Sequence, residues 1–341
     1  MGFFSPEIGI DLGTNNVLFY VAGRGIVLRE PSLVIVRGDA SREAMAVGED
    51  ARLMQGRMPA GYVAVHPIRE GVIADFDVAE VMLRYFIRRA IGVNFISKPK
   101  MVLSVPSEIT EMERRAAEEA LQRAGGRLAH VIESSVAAAM GCGLPVYEPL
   151  GSMIVDIGGG TTEVAVISMG SLVVSKSLRR AGNAMDQAII AFAKKEKNML
   201  IGDRTGEDIK IDLGSAIAMI DSQRALVRGR DLVTGLPQTM EIDSDEVYEA
   251  LQEPLREILD AIIWVLERTP PELGADVVRT GIHLTGGCAQ LPGIDQFIAA
   301  ETGITVQVAR NPMDCTVLGT GYLAGNLELL SRIGKNHPMT E

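Results

Sequence analysis

Cysteine is scarce in this sequence. Cys142, Cys288 and Cys315 are the only three in 341 residues, and none stands in a metal-ligand spacing such as CxxC. An extracellular domain held together by disulfides would need a dense, even set. The scarcity therefore favours a reducing compartment, in which these thiols serve as small buried hydrophobic groups.

Long apolar runs and basic charge are also lacking. No run approaches the roughly 18 apolar residues that span a bilayer. No cationic stretch precedes a signal-peptide core, and Pro6 stands where an acylation signal needs Ser or Thr. The net charge of −11 argues against binding to nucleic-acid backbones, which require a basic surface. We expect a cytoplasmic protein without a nucleic-acid partner.

Two segments of the chain share one plan. Both IGIDLGTNNVLFYV, which contains Asp11, and IVDIGGGTTEVAVI, which contains Asp156, read as a strand, an Asp, a Gly-rich turn with Thr and a second strand. Their offset is close to half of the chain. The pattern indicates an internal duplication that gives two lobes.

Strands alternate with helices along the rest of the chain, which favours an α/β fold. Thr110 and Glu113 form a capping box at the start of a helix that ends at Gly125 and Gly126. The long helix over 244–268 contains Pro254 and is expected to break there. The other predicted elements are strands at 101–106 and 282–285 and helices at 134–140, 184–195, 208–218 and 318–330.

Three consecutive glycines inside a hairpin need a reason, because glycine weakens a strand. They indicate a backbone that takes positive φ or approaches another group closely. In such a turn successive N–H groups form an anion-binding concavity. A plain tight hairpin is the alternative, but two such turns, each after an Asp, favour a phosphate. A carboxylate beside a phosphate needs a cation between them, so Asp11 and Asp156 predict Mg²⁺ held through water.

The usual phosphate-binding motifs are absent. The chain has neither GxxxxGK[ST] nor a GxGxxG that opens a helix after the first strand, which removes the P-loop and Rossmann interpretations. Instead GIDLGTNN, VDIGGGTTE and LTGG resemble the two phosphate segments and the adenosine segment of the actin, sugar-kinase and chaperone ATPase superfamily. Longer strings, among them EPSLVIV, GVIADFDV and GRDLVTGLP, resemble the MreB/Mbl family of bacterial actin homologues over essentially the whole chain.

The resemblance implies an actin-like ATPase fold, in which duplicated α/β, RNase H-like lobes enclose a nucleotide cleft. It places the first lobe at 1–145, with a small subdomain inserted at about 32–95. The second lobe spans 146–341, with a small subdomain inserted at about 182–245. The C-terminal helix is expected to pack back on the first lobe.

The resemblance also implies ATP and Mg²⁺ as ligands and assigns residues to them. Glu207 and Lys210 stand at helical spacing i, i+3, which by itself would equally suit a surface ion pair. The implied phosphate contacts are Gly13, Thr14, Asn15 and Asn16 on one side and Gly158, Gly159, Gly160 and Thr161 on the other; those around the adenosine are Gly182, Glu207, Lys210, Gly286, Gly287 and Cys288.

Two positions depart from the family pattern. Cys288 takes the third place of an adenosine turn that usually reads GGG, and its Cβ should matter little if its φ is negative. In the family, the second Glu of a Glu-Glu-Pro motif positions the water that attacks the γ-phosphate. Here the motif reads Glu133, Ser134 and Ser135, so a serine replaces that carboxylate.

The loss of this carboxylate should slow hydrolysis by on the order of 10²-fold or more. The implied catalytic set then comprises Asp11, Asp156 and Thr161, with Glu133 as a substitute one position earlier. Adjacent helical positions differ by roughly 100°, so that substitution needs a local shift. We expect an ATP-binding protein whose ATPase activity is weak or absent.

The family attaches to membranes through an N-terminal segment, a hydrophobic loop, or both. Phe3 and Phe4 lie at the N-terminus, and Phe95 and Ile96 occupy the place of the loop, next to Lys98. Burial of four apolar side chains at about 1.5–3 kcal/mol each would support binding, and cations help on anionic lipid. The alternative is that Phe95 and Ile96 pack in a core.

The resemblance implies a cytoskeletal protein that polymerises into filaments on the inner face of the cytoplasmic membrane. It would organise cell-wall synthesis together with the cell-elongation machinery and so set cell shape. A small-molecule kinase and a chaperone-type ATPase are the alternatives within the superfamily. A kinase needs a further catalytic Asp aimed at an acceptor, and a chaperone needs a peptide-binding domain; the sequence indicates neither.

Overall fold

The computed structural model of the chain describes residues 5–92 and 98–333. Its strands are β1 (Glu7–Leu12), β2 (Asn16–Val21), β3 (Gly25–Pro31), β4 (Val34–Arg37), β5 (Ala44–Val47), β6 (Tyr62–Val65), β7 (Ile68–Arg69), β8 (Val72–Ile73), β9 (Lys100–Val105), β10 (Leu128–Glu133), β11 (Ser152–Ile157), β12 (Thr162–Ser168), β13 (Ser171–Leu178), β14 (Met199–Leu200), β15 (Arg224–Asp231), β16 (Pro237–Asp243), β17 (Ile282–Thr285) and β18 (Val306–Val308).

Its helices are α1 (Glu49–Met54), α2 (Phe76–Ile91), α3 (Glu111–Arg123), α4 (Ser134–Gly141), α5 (Gly182–Glu196), α6 (Asp203–Leu213), α7 (Ser244–Arg268), α8 (Pro271–Thr280), α9 (Ile294–Thr302), α10 (Cys315–Ala324) and α11 (Leu327–Ile333). Short 3₁₀ turns lie at Gly287–Gln290 and Pro312–Asp314. Within the described residues, no helix combines the length and the apolar character that crossing a membrane requires.

Two five-stranded sheets repeat one topology. The first has the order β10-β9-β1-β2-β3 and the second the order β18-β17-β11-β12-β13. In each, the central strand pairs antiparallel with the next strand of its hairpin and parallel with a later strand. The predicted α/β fold and internal duplication are therefore confirmed, and each Asp-containing hairpin occupies the middle of its sheet.

Smaller sheets lie in the segments between the hairpins and the later strands. One has the order β5-β4-β6 and belongs to the first half of the chain, and the other has the order β14-β15-β16 and belongs to the second half. The two larger sheets each carry their own hydrophobic core. A third cluster of buried residues, which includes Ala137 and Leu323, lies where α4 and α10 meet.

Helix α10 joins the two halves of the molecule through very close backbone packing. A Cβ added to Gly319 would lie 1.9 Å from the carbonyl oxygen of Ala137 on α4, and one added to Gly9 on β1 would lie 2.2 Å from the nitrogen of Gly321. Such distances leave no room for a side chain. Glycine in this helix therefore allows it to lie directly on the first lobe.

Most predicted elements are confirmed, and three details are wrong. The capping box of α3 is present, but α7 continues through the buried Pro254 without a break. The helix expected at 208–218 is α6, which starts five residues earlier and ends before the extended Gly214. The single closing helix expected at 318–330 is two helices, because Gly325 ends α10 and Asn326 precedes α11.

Candidate functional site

The two Asp-containing hairpins have turns of the same construction. In the first, the backbone N–H of Gly13 donates to the carbonyl of Asn16 at 3.0 Å; in the second, Gly158 donates to Thr161 at 2.9 Å. Each turn starts two residues after its Asp. The duplication seen in the sequence therefore extends to the hydrogen bond that closes each turn.

The glycines of the second turn allow it to lie directly against the first. A Cβ on Gly159 would meet the side chain of Asn15 at 2.5 Å, and a Cβ on Gly160 would meet the hydroxyl of Thr14 at 2.3 Å. Neither glycine has a φ in the left-handed region. Close approach, rather than positive φ, is therefore the reason for glycine at positions 159 and 160.

The carboxylates of Asp11 and Asp156 are buried at the base of these turns. Ser104 donates to Asp11 at 3.1 Å and Thr316 donates to Asp156 at 3.0 Å. Burial, together with the charge of Asp156, raises the pKa of Asp11 to about 7, and burial raises the pKa of Asp156 to about 6. Two buried acids whose charged forms are disfavoured in this way fit a cation site.

This donor set suits a metal held partly through other ligands. Among the residues that the structure describes, no group of three or more His, Cys, Asp or Glu side chains could hold a metal ion. Two carboxylates alone do not complete the octahedral shell of Mg²⁺, which usually keeps several waters and binds substrate phosphates. The residues present therefore fit a Mg²⁺ ion that is shared with a phosphate group.

A cleft of about 410 Å³ lies between the lobes, within the usual range of ligand sites. It is lined by all the residues that the resemblance assigned to phosphates and adenosine, and by every implied catalytic position except Glu133. These lining residues are Asp11, Gly13, Thr14, Asn15, Asn16, Ser134, Asp156, Gly158, Gly159, Gly160, Thr161, Gly182, Glu207, Lys210, Gly286, Gly287 and Cys288.

The predicted adenosine end is built around Gly286 and Cys288. Gly286 has φ 86°, and a Cβ there would lie 2.3 Å from the carbonyl oxygen of Ile157, so this position requires glycine. Cys288 is outside the left-handed region, and its thiol donates to the carbonyl of Gly158 at 3.3 Å. The departure from a third glycine therefore causes no backbone strain. The thiol connects the adenosine turn to the second phosphate turn.

Lys210 forms an ion pair, but not the surface pair that its spacing with Glu207 suggested. Its Nζ lies 2.7 Å from a carboxylate oxygen of Asp186 on α5 and donates to the carbonyl of Gly182 at 3.1 Å. Both side chains of the pair are nearly buried. Burial nevertheless raises the pKa of Asp186, an effect that Lys210 opposes. The pair fixes the start of α5 beside the cleft.

Ser134 lines the cleft, whereas Glu133 does not. Glu133 ends β10 immediately before α4, and its carboxylate accepts a hydrogen bond from Arg114 at 2.8 Å. For Glu133 to act as the substitute base, its side chain would have to leave Arg114 and turn toward the cleft. That role stays a prediction.

Glu163 is a cleft residue that sequence reasoning missed. It lies opposite Asp156 in the β11–β12 register and lines the cleft. Its carboxylate accepts from the backbone N–H of Ser107, in the first lobe, at 3.0 Å and from the hydroxyl of Ser177, in the second lobe, at 2.5 Å. Burial raises its pKa to about 7. Its position two residues after Thr161 was the only available signal.

The four predicted membrane residues lie outside the part of the chain that the structure describes. Phe3, Phe4, Phe95 and Ile96 lie outside residues 5–92 and 98–333. Their membrane role, and the alternative that Phe95 and Ile96 pack in a core, both stay predictions.

Comparisons with known proteins give one consistent result. A family model described as MreB/Mbl protein matches residues 5–332. The cell shape-determining protein Mbl of Bacillus subtilis is 46% identical over 329 residues, which cover 96% of this chain and 98% of the relative. The cell shape-determining protein MreB of Escherichia coli is 47% identical over 324 residues, which cover 94% of this chain and 93% of the relative.

Solved structures have the same fold. MreB5 of Spiroplasma citri bound to AMPPNP superposes with a TM-score of 0.90 at 35% identity, over 97% of this chain and 99% of that one. The MamK double helical filament gives a TM-score of 0.80 at 19% identity, over 94% of this chain and 98% of that one. The second likeness, at this identity, concerns the fold alone. The actin-like fold expected from the sequence is confirmed.

Proposed function

The chain belongs to the MreB/Mbl family of actin-like proteins, and on that premise we propose that it binds ATP in the cleft between its lobes and sets cell shape. The observation that carries the proposal is the meeting of two equivalent Asp-containing turns across one cleft. The crystallised MreB5 of Spiroplasma citri is bound to AMPPNP in one structure and to ADP in another. The family match favours this function over a small-molecule kinase or a chaperone ATPase.

The chain's own residues supply most of what a triphosphate requires. Both turns line the cleft, and Gly159 and Gly160 allow them to lie directly against each other, so backbone N–H groups of the two turns would bind the same phosphate chain. Asp11 and Asp156 would hold Mg²⁺, in part through water. When bound, this ion neutralises charge that develops on the phosphates during transfer.

Hydrolysis in this cleft is proposed to be slow. Ser134 stands at the position where the family pattern has a carboxylate, and a hydroxyl is too weak a base to activate water at neutral pH. Thr161 remains to orient the water. Phosphate release equal to that of a relative with the full Glu-Glu-Pro motif, and undiminished by Glu133→Ala, would contradict both slow hydrolysis and a substitute role for Glu133.

Filament assembly follows from the proposed family function. MamK, which shares the fold, is known as a double helical filament. Sedimentation with ATP and Mg²⁺, with and without candidate sugars, tests the proposal. A polymer that forms with ATP and disperses when Mg²⁺ is chelated supports it. A phosphorylated sugar would instead identify a kinase. The absence of both a polymer and a phosphorylated sugar would contradict both functions.

We place the filament on the inner face of the cytoplasmic membrane, in contact with the cell-elongation machinery. Phe3, Phe4, Phe95 and Ile96 would enter the lipid. In a liposome pelleting assay, replacement of all four by Ser should abolish binding to anionic vesicles while nucleotide binding persists. Undiminished pelleting of this variant would remove the membrane role from these residues.

A further inference from the structure

Two asparagine side chains join the lobes beside the phosphate turns. The amide of Asn15 donates to the side-chain oxygen of Asn183 at 2.7 Å, and the amide of Asn183 donates back to that of Asn15 at 3.0 Å. The two residues are 168 positions apart. Asn15 lies in the turn between β1 and β2, and Asn183 lies in the first turn of α5. The pair is therefore a reciprocal, neutral contact between the two halves of the duplicated fold.

Both sides of this pair are fixed by backbone hydrogen bonds. The carbonyl of Asn15 accepts from the N–H of Ser32 at 2.9 Å, and the N–H of Asn183 donates to the carbonyl of Gly159 at 2.8 Å. Gly159 also lies directly against the side chain of Asn15. Because both residues are held in place, the phosphate turn of the first lobe cannot move away from that of the second lobe without breaking the two amide hydrogen bonds.

Other polar contacts between the lobes differ in kind. Arg179 and Glu70 form an ion pair at 3.0 Å, but both side chains are more than half exposed, at 55% and 52%. Such a pair is screened by salt and contributes little. Glu163 and Ser107 meet deeper in the cleft through one hydrogen bond. Among the described residues, Asn15 and Asn183 form a double hydrogen bond at the point where the two phosphate turns touch.

We propose that the Asn15–Asn183 pair, hereafter the amide clasp, controls the rate at which nucleotide enters and leaves the cleft. The proposal rests on the proposed ATP-binding function. The cleft must open at its phosphate end for a triphosphate to pass, and opening there breaks both hydrogen bonds. Two such bonds are together worth a factor of roughly ten in an equilibrium constant.

The test is nucleotide exchange by stopped-flow fluorescence on the full chain. A fluorescent, non-hydrolysable ATP analogue with Mg²⁺ is mixed with the protein to measure entry, and bound analogue is displaced with excess unlabelled ATP to measure exit. In Asn183→Ala, both rates should rise roughly tenfold. Ala suits the first turn of a helix, and Asn183 itself does not line the cleft. The variant therefore keeps the cleft lining unchanged.

A second variant and a control distinguish the amide clasp from a direct nucleotide contact by Asn183 and from a general weakening of the contacts between the lobes. Asn183→Leu, which keeps a side chain of similar size but makes no amide hydrogen bond, should raise both rates as much as Asn183→Ala does. Arg179→Ala, which breaks the exposed ion pair, should leave both rates unchanged. A faster exit with an unchanged entry rate would make Asn183 a nucleotide contact and overturn the clasp, as would an equal effect of Arg179→Ala.

The outcomes also separate this inference from the function on which it rests. If the wild-type chain binds the analogue and Asn183→Ala exchanges it at the wild-type rates, the amide clasp is wrong and ATP binding stands. If the wild-type chain binds no analogue, the proposed function fails, and the clasp is overturned with it.

Discussion

At the scale of single residues, Ser134 has the largest consequence for chemistry. It lines the cleft with a hydroxyl where the family pattern has a carboxylate. General bases contribute typically about 10²–10⁴-fold to such reactions. Under the proposed function, this one side chain would separate a protein that binds ATP from one that hydrolyses it quickly.

Restoring the carboxylate should restore turnover. We expect Ser134→Glu to raise phosphate release by on the order of 10²-fold, because the new carboxylate accepts a proton from the attacking water. Ser134→Gln is the matched control, since it has the same size but no base. Equal rates in the Glu and Gln variants would show that this position does not limit hydrolysis.

The nearly buried ion pair of Lys210 and Asp186 makes a second prediction at this scale. Lys210→Met leaves a buried carboxylate without its partner, and we expect a loss of about 3 kcal/mol in the free energy of unfolding. Adding Asp186→Leu should recover most of that loss, because no buried charge then remains. Urea unfolding in the absence of nucleotide measures the loss in the single variant and its recovery in the double variant. Wild-type stability in the single variant would mean that the pair contributes nothing.

At the scale of elements, the contact between α4 and α10 depends on glycine. Gly319→Ala should cost about 1–3 kcal/mol, because its Cβ would overlap the carbonyl of Ala137 and force the helices apart. Gly274→Ala, on α8 with no atom within 4 Å of the added Cβ, is the control and should gain about 0.5–1 kcal/mol. Equal effects of the two variants in urea unfolding would contradict this close packing.

The elements show what could be predicted from the sequence. Periodicity and capping were sufficient for α3 and for both hairpins, because these signals are local. The end of α10 at Gly325 was missed because the apolar pattern continues across it. Pro254 was expected to break α7, but burial of the helix against the core outweighs the single hydrogen bond that proline removes.

The site was predictable to a different degree. The Asp and Gly residues of the turns were identified because they carry their own chemical reason. The partners of Lys210 and Asn15 were not, since Asp186 and Asn183 reach them only when the chain is folded. Glu163 was missed for the same reason: its burial between the lobes is a property of their contact, not of its neighbours in sequence.

At the scale of the whole molecule, the duplication is what makes a site. Each half supplies one sheet, one hairpin and one buried Asp, and neither half alone encloses the cleft. The central claim is that Asp11 and Asp156 together hold one Mg²⁺ on one nucleotide. A nucleotide bound there would contact residues of both lobes.

Titration calorimetry with a non-hydrolysable ATP analogue tests this claim most directly. We predict one site per chain, with affinity at least about tenfold weaker without Mg²⁺ and in Asp11→Asn or Asp156→Asn. Each variant should fold, because burial already disfavours the charged carboxylates. Asp260→Asn, on the exposed side of α7 and outside the cleft, should bind as wild type. Equal affinity with and without Mg²⁺, or undiminished binding in both Asp variants, would contradict the account.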